Sequence, residues 1–223
     1  MSSDIFNFDD FLIEHTTPGV PVPIVKYDCV HPSDWEPVSV IDPNWQDGPW
    51  IAGGAPLRWY QGVPVGESDI DVFCKDQKQF DELVNRILGY KRYHKKWDSE
   101  NAITYDIYPS SDSKEEFTLN GWTIQIIKRK FFGSAQEVID NFDVSVCQVA
   151  TDGWNWALGR HTARDIREGN LRMNLPLQAD ALKRYVKYTA YGYRPVDGLF
   201  EAIQNNPVGR WVFGRTEDYE NAF

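Results

Sequence analysis

Apolar residues recur along this chain in two rhythms, and the change between them divides it. From residue 68 to 74 the order Ser-Asp-Ile-Asp-Val-Phe-Cys alternates polar and apolar positions, which predicts a strand. With a period of two, Asp69 and Asp71 point to one face and Ile70 and Val72 to the other. Directly afterwards Phe80, Leu83, Val84, Ile87 and Leu88 follow helical spacing, with Asp76 and Gln79 as an N-cap pair and Gly89 as the stop. Residues 101–108 and 122–128 read as strands joined by a polar loop over 109–120. Ser134 and Glu137 form a capping box for a helix to Asn141, and residues 142–150 read as a further apolar strand turning at Asp152-Gly153. Upstream, Trp50, Ile51 and Ala52 start the first core strand, and Gly53-Gly54 ends it at the mouth of a short helix. The order strand, helix, strand, helix, strand, strand, helix, strand predicts an α/β (α+β) fold with a mixed sheet and helices packed on it.

Beyond residue 153 the rhythm is helical. Thr162 is placed to cap a short helix to Glu168, ended by Gly169. Residues 176–190 carry Leu177, Ala181, Leu182, Tyr185 and Ala190 near helical spacing, and Asp197 is placed to cap a last helix to Ile203. The first 50 residues hold many of the prolines. There, residues 9–14 suggest one helical turn, residues 20–26 an extended piece, and Trp35, Trp45 and Trp50 anchors on the core. The acidic tail over 216–223 reads as mobile. Three regions follow: an N-terminal arm over 1–47, a core over 48–155 and a helical C-terminal region over 156–223.

Composition changes this picture in few places. The chain has 223 residues, 42% hydrophobic and 14% aromatic, enough to bury a real core. It shows neither a span-length apolar run nor a signal-peptide pattern, so a cytoplasmic protein with no membrane association is expected. Cys29, Cys74 and Cys147 are far apart and lack metal-type spacing, which suggests reduced thiols. The net charge of −10 argues against broad nucleic-acid coating. That charge is uneven, because residues 1–76 carry thirteen acids against three bases. The remainder is near balance, with basic runs at 86–96 and 128–130 and further cations at Lys183, Arg184 and Lys187.

The chemistry concentrates at two aspartates beside a glycine pair. Carboxylates on one strand face suit a hard, oxygen-seeking cation such as Mg²⁺, and a helix start opened by glycines suits phosphate. His94 and His161 show no partner pattern and read as structural.

Gly53-Gly54, then Arg58, then Asp69-Ile70-Asp71 resembles the signature of the DNA polymerase β–type nucleotidyltransferase superfamily, best over residues 48–150. The stretches 124–127 and 134–153 resemble viral and phage members of it. The resemblance implies a nucleotidyltransferase core and Mg²⁺ (or Mn²⁺) as cofactor. It also implies a nucleoside triphosphate as partner and a hydroxyl acceptor on an RNA or tRNA end, a protein or a small molecule. If the source is viral, the place is the host cytoplasm. Asp69 and Asp71 would hold metal and carry catalysis. The implied third carboxylate is open, because the strand expected to supply it offers Gln125. Asp143 is favoured for that role, with Asp106 as the alternative. Gly53, Gly54 and Arg58 would meet the phosphates, and Lys187 and Tyr188 the nucleotide. Gln125 keeps a second reading alive, a catalytically inactive nucleotide- or protein-binding module on the same fold.

Overall fold

A computed structural model describes residues 30–66, 68–107 and 122–206. Among these residues the sheet has seven strands in the order β3-β4-β5-β2-β1-β6-β7. The strands are β1 (Trp50–Ala52), β2 (Asp69–Phe73), β3 (Tyr93–Asp98), β4 (Ala102–Ile107), β5 (Trp122–Ile127), β6 (Val149–Thr151) and β7 (Trp156–Leu158). β2 and β5 run parallel, and the other neighbouring pairs of this sheet are antiparallel. Helices α1 (Trp35–Ile41), α2 (Gly54–Tyr60), α3 (Gln77–Leu88) and α4 (Ala135–Asp140) pack on it. The C-terminal part holds α5 (Thr162–Glu168), β8 (Asn170–Leu171), α6 (Ala181–Ala190), β9 (Arg194–Pro195) and α7 (Leu199–Gln204). The mixed α/β class expected from the sequence is the fold observed.

Alternation decides which face of the sheet is covered. Ile70, Val72, Ile124, Ile126 and Ile107 are fully buried in one cluster with Val38, Ile41, Phe80, Leu83 and Ile87 from α1 and α3. Each such side chain contributes roughly 1.5–3 kcal/mol on leaving water. α3 forms where its spacing predicts: the Asp76 carboxylate accepts from the Gln79 N–H at 2.8 Å, and Phe80, Leu83 and Ile87 face the sheet. α4 starts as predicted too, with Ser134 accepting from the Glu137 N–H, while Glu137 reaches back to Gly133.

A buried acid ties the N-terminal segment to the sheet. Asp34 accepts hydrogen bonds from the indoles of Trp59 (2.8 Å) and Trp122 (2.9 Å) and from the Val65 amide (2.8 Å). It is 2% exposed.

Several expectations are corrected. Helix α1 and strands β3 and β7 were not foreseen. β3 overlaps the end of the basic run; as an edge strand it buries only Tyr93 and carries a register shift between Lys95 and Trp97, so its alternation is hidden. The stretch 142–150 is not one strand. It forms a 3₁₀ turn (Ser145–Cys147) before the short β6, where Thr162 and Gly159 donate to the carbonyls of Ser145 and Gln148. Thr162 therefore does not cap α5: its hydroxyl donates to the Ser145 carbonyl at 2.7 Å. Gly198, with positive φ, stands at the start of α7 in place of Asp197, and α6 begins at Ala181. The expectations for residues 9–14, 20–26, 109–120 and 216–223, and for Cys29, lie outside the described residues. Among the described residues, no helix is long and apolar enough to cross a membrane.

Candidate active site

On the sheet face opposite the Ile70 cluster α4 covers Trp50, Ala52 and Phe73, and beside them register aligns polar residues across three strands. Asp69 pairs with Thr123, and Thr123 pairs in turn with Asp106; Asp71 pairs with Gln125, and Gln125 with Thr104. Residues opposite one another share a face, so two rows form, Asp69–Thr123–Asp106 and Asp71–Gln125–Thr104. The Gln125 amide donates to Asp69 Oδ2 at 2.6 Å. Asp106 accepts from the Thr123 hydroxyl at 2.9 Å and pairs with Lys96 at 3.2 Å.

The aspartate pair is electrostatically unsatisfied. Burial pushes the Asp71 carboxyl up to about 7, the Asp69 charge pushes it the same way, and only Lys187 opposes. Burial also raises Asp69, and Lys96 and Lys187 partly offset this. Two half-buried carboxylates that repel each other are a ready partner for a cation.

The glycine turn lies against them. Gly53 has φ of +90°, and a Cβ there would meet the Phe142 ring at 3.0 Å and lie 3.7 Å from Asp71 Oδ2. Its N–H donates to the Val149 carbonyl at 2.9 Å, so Gly53 shapes the turn and offers no free donor. Gly54 is different: a Cβ there would meet nothing within 4 Å. The first N–H groups of a helix have no intrahelical partner. In α2 those are Gly54 and Ala55, since Pro56 has no N–H.

The other expected residues divide. Lys187, exposed on α6, brings its charge to both aspartates, with its ammonium 5.9 Å from the ring centroids of Tyr188 and Tyr191. Tyr188 is buried in the C-terminal cluster, its hydroxyl on the Cys147 thiol. Burial raises both groups, the thiol to about 11. Arg58 does not face the pair. Its Nε donates to the Pro64 carbonyl at 2.7 Å and holds the loop after α2. Asp143, expected as the third ligand, is buried at the foot of the C-terminal region and ion-paired to Arg184 at 2.9 Å. Asp106, the alternative, stands two strands from Asp69 and is held by Lys96 and Thr123. Among the described residues no three His, Cys, Asp or Glu side chains gather to hold a metal ion.

Asp69 and Asp71 therefore fit one hard cation that completes its shell with water and phosphate oxygens, as Mg²⁺ does on a nucleotide. Such a cation would neutralise the phosphates it carries and relieve the repulsion between the two carboxylates. Asp34 and Gln125, the residues that fix the sheet and the pair, carry no motif; only the placement of Gln125 on the strand next to Asp-x-Asp hinted at it.

This arrangement is a nucleotidyltransferase fold. It is similar to the CCA-adding enzyme of Thermotoga maritima complexed with tRNA, at 17% identity over 82% of this chain and 47% of that one, with a TM-score of 0.50. It is similar as well to the Bacillus stearothermophilus CCA-adding enzyme in complex with CTP (16%, 79% and 44%, TM-score 0.50). A further CCA-adding enzyme with CTP gives 14%, 81% and 45%, with a TM-score of 0.54. The chain spans a little under half the length of these enzymes. Residues 34–168 match the family described as Gabija anti-defense 2 family protein, and the chain belongs to that family. The match opens at the Asp34 anchor and closes with α5. No curated protein matches the chain.

Proposed function

We propose that this protein is a Mg²⁺-dependent nucleotidyltransferase that moves a nucleoside monophosphate from a nucleoside triphosphate to a hydroxyl acceptor. The observation that carries the reading is the mutually repelling Asp69–Asp71 pair on a polar sheet face beside Gly53-Gly54. In the reaction the acceptor hydroxyl gives its proton to solvent, its oxygen bonds to the α-phosphorus, the bond from that phosphorus to the bridging oxygen breaks, and pyrophosphate leaves with the electron pair. Asp69 and Asp71 hold the cation and orient the triphosphate. The N–H groups of Gly54 and Ala55 bind phosphate oxygens, and Lys187 offsets the growing negative charge. The acceptor is an RNA or tRNA end, a protein side chain or a small molecule. The family name suggests that the protein acts against the Gabija defence, and the reading is of action in the host cytoplasm during phage infection.

The test is incubation of the pure protein with each α-labelled triphosphate, Mg²⁺ or Mn²⁺, and RNA and protein from the host. Labelled acceptor that disappears with Asp69→Asn/Asp71→Asn supports the reading. Absence of label with every acceptor, despite nucleotide binding, supports the second reading, a binding module without chemistry. The observation that favours this second reading is the neutral amide of Gln125 against Asp69.

A further inference from the structure

The geometry points to Gln125 as a positioning residue that restricts the Asp69–Asp71 face to a single divalent cation. This rests on the cation reading above.

Gln125 stands opposite Asp71 in the parallel β2–β5 ladder, and its side chain runs back to Asp69, where Nε2 donates to Oδ2 at 2.6 Å. One neutral side chain thus occupies the ground beside both acids. The donated hydrogen bond takes one of the lone pairs by which Asp69 could bridge two ions and holds its carboxylate in one orientation. Along the same rows the neighbours are Thr123 and Thr104, both neutral. The next acid on this face, Asp106, is already engaged by the Lys96 ammonium and the Thr123 hydroxyl. No third acid joins Asp69 and Asp71 among the described residues.

Charge then decides the number of ions. Paired catalytic metals stand about 3.5–4 Å apart, and two divalent ions repel four times as strongly as unit charges at the same spacing. Two carboxylates match the charge of one such ion. A second would have only an amide and two hydroxyls to meet it. Glutamate has the shape of glutamine, so Gln125→Glu changes the charge at this spot and little else.

The test is titration of the full chain with Mn²⁺ alone, with the free ion followed by electron paramagnetic resonance. Wild type is expected to bind one ion per chain. Gln125→Glu is expected to bind Mn²⁺ at least tenfold more tightly and to admit a second ion. Asp69→Asn in the Gln125→Glu background should remove that gain, which assigns it to this face. Two ions per wild-type chain would overturn the proposal, and this measurement needs no variant to fold. A Gln125→Glu protein with a wild-type melting curve and unchanged Mn²⁺ affinity would overturn it as well, while one tight ion in wild type leaves the cation reading standing. Absence of Mn²⁺ binding in wild type and Gln125→Glu alike would remove both.

Discussion

Two regions of this molecule bury aspartates, and they treat them in opposite ways. In the C-terminal region Asp143 meets Arg184 at 2.9 Å, and Arg184 is held from its other side by Asp180 at 3.0 Å. The acid is answered in part by a cation that the fold itself supplies, although burial still raises its carboxyl and its Oδ2 is buried without a hydrogen-bond partner. On the polar face of the sheet, Asp69 and Asp71 are answered by each other's repulsion, by an amide and by the charge of two exposed lysines. A compensated buried charge holds structure together. An uncompensated pair costs stability and persists where a ligand completes it. Asp143 sits in an ion pair, whereas no lysine or arginine pairs with Asp69 or Asp71 among the described residues, so we read the face of β2 as the candidate site and the Asp143 pair as scaffold.

The comparison is most sharply tested by removing the uncompensated pair. Asp69→Asn with Asp71→Asn should lower metal-dependent transfer by at least about a hundredfold, a loss of roughly 2.7 kcal/mol of transition-state stabilisation. The melting temperature of the metal-free protein should not fall, because a repulsion has been removed. Activity assays beside thermal melts check both halves, and a retained transfer rate would remove the site from β2.

Removing the compensating cation should do the reverse. Arg184→Ala leaves Asp143 buried without its partner and should cost about 2 kcal/mol of stability, reduced from the fully buried value because Arg184 is partly exposed. Denaturant melts measure this, and Mn²⁺ affinity should stay unchanged.

Burial raises acids in both regions, and Asp71 is the one raised as far as about 7. The Asp71 carboxyl is raised in the folded state to about 7 from 3.8. An acid raised on folding contributes stability that is fully present below its unfolded value and is lost as pH rises through the folded one. The metal-free protein should therefore melt lower as pH rises from about 4 to about 7. Asp71→Asn or added Mg²⁺ should flatten that slope, whereas Arg184→Ala should leave its Asp71 component in place. Melting curves across this range, with and without Mg²⁺, separate the cases.

The glycine turn gives the smaller effects. Gly54→Val fills open space, so stability should change by less than about 1 kcal/mol, while its branched side chain should block the close approach of phosphate to the backbone N–H and weaken triphosphate binding about tenfold. Calorimetry with a non-hydrolysable triphosphate measures it. Arg58→Ala, which loses only its bond to the Pro64 carbonyl, should leave that affinity unchanged and cost about 1 kcal/mol of stability.

Much of this was open to reading along the chain, and the failures have a common cause. Strand β2, helix α3 and the start of α4 depend on local periodicity and on caps within four residues, so spacing alone located them. β3 has no such signature, because an edge strand with a register shift draws its hydrogen bonds from β4 and leaves most of its side chains in water. The fold agrees with the nucleotidyltransferase resemblance. The supporting residues were harder, since Arg58, Tyr188 and Asp143 are the right residue types and their partners come from elsewhere in the chain.

The sequence by itself determined that Asp69 and Asp71 share a strand face, that Ile70 and Val72 bury the opposite one, and that a glycine turn opens the preceding helix. These follow from the two-residue pleat and from the backbone freedom of glycine, which are local properties. Only the tertiary structure decided that Gln125 lies opposite Asp71, that Asp106 stands one strand too far and belongs to Lys96, and that Asp143 is spent on Arg184. The physical reason is that charge compensation is a matter of distance in space. Strand order and register set those distances, and they come from closing long loops around a shared core, which residue spacing along the chain does not encode.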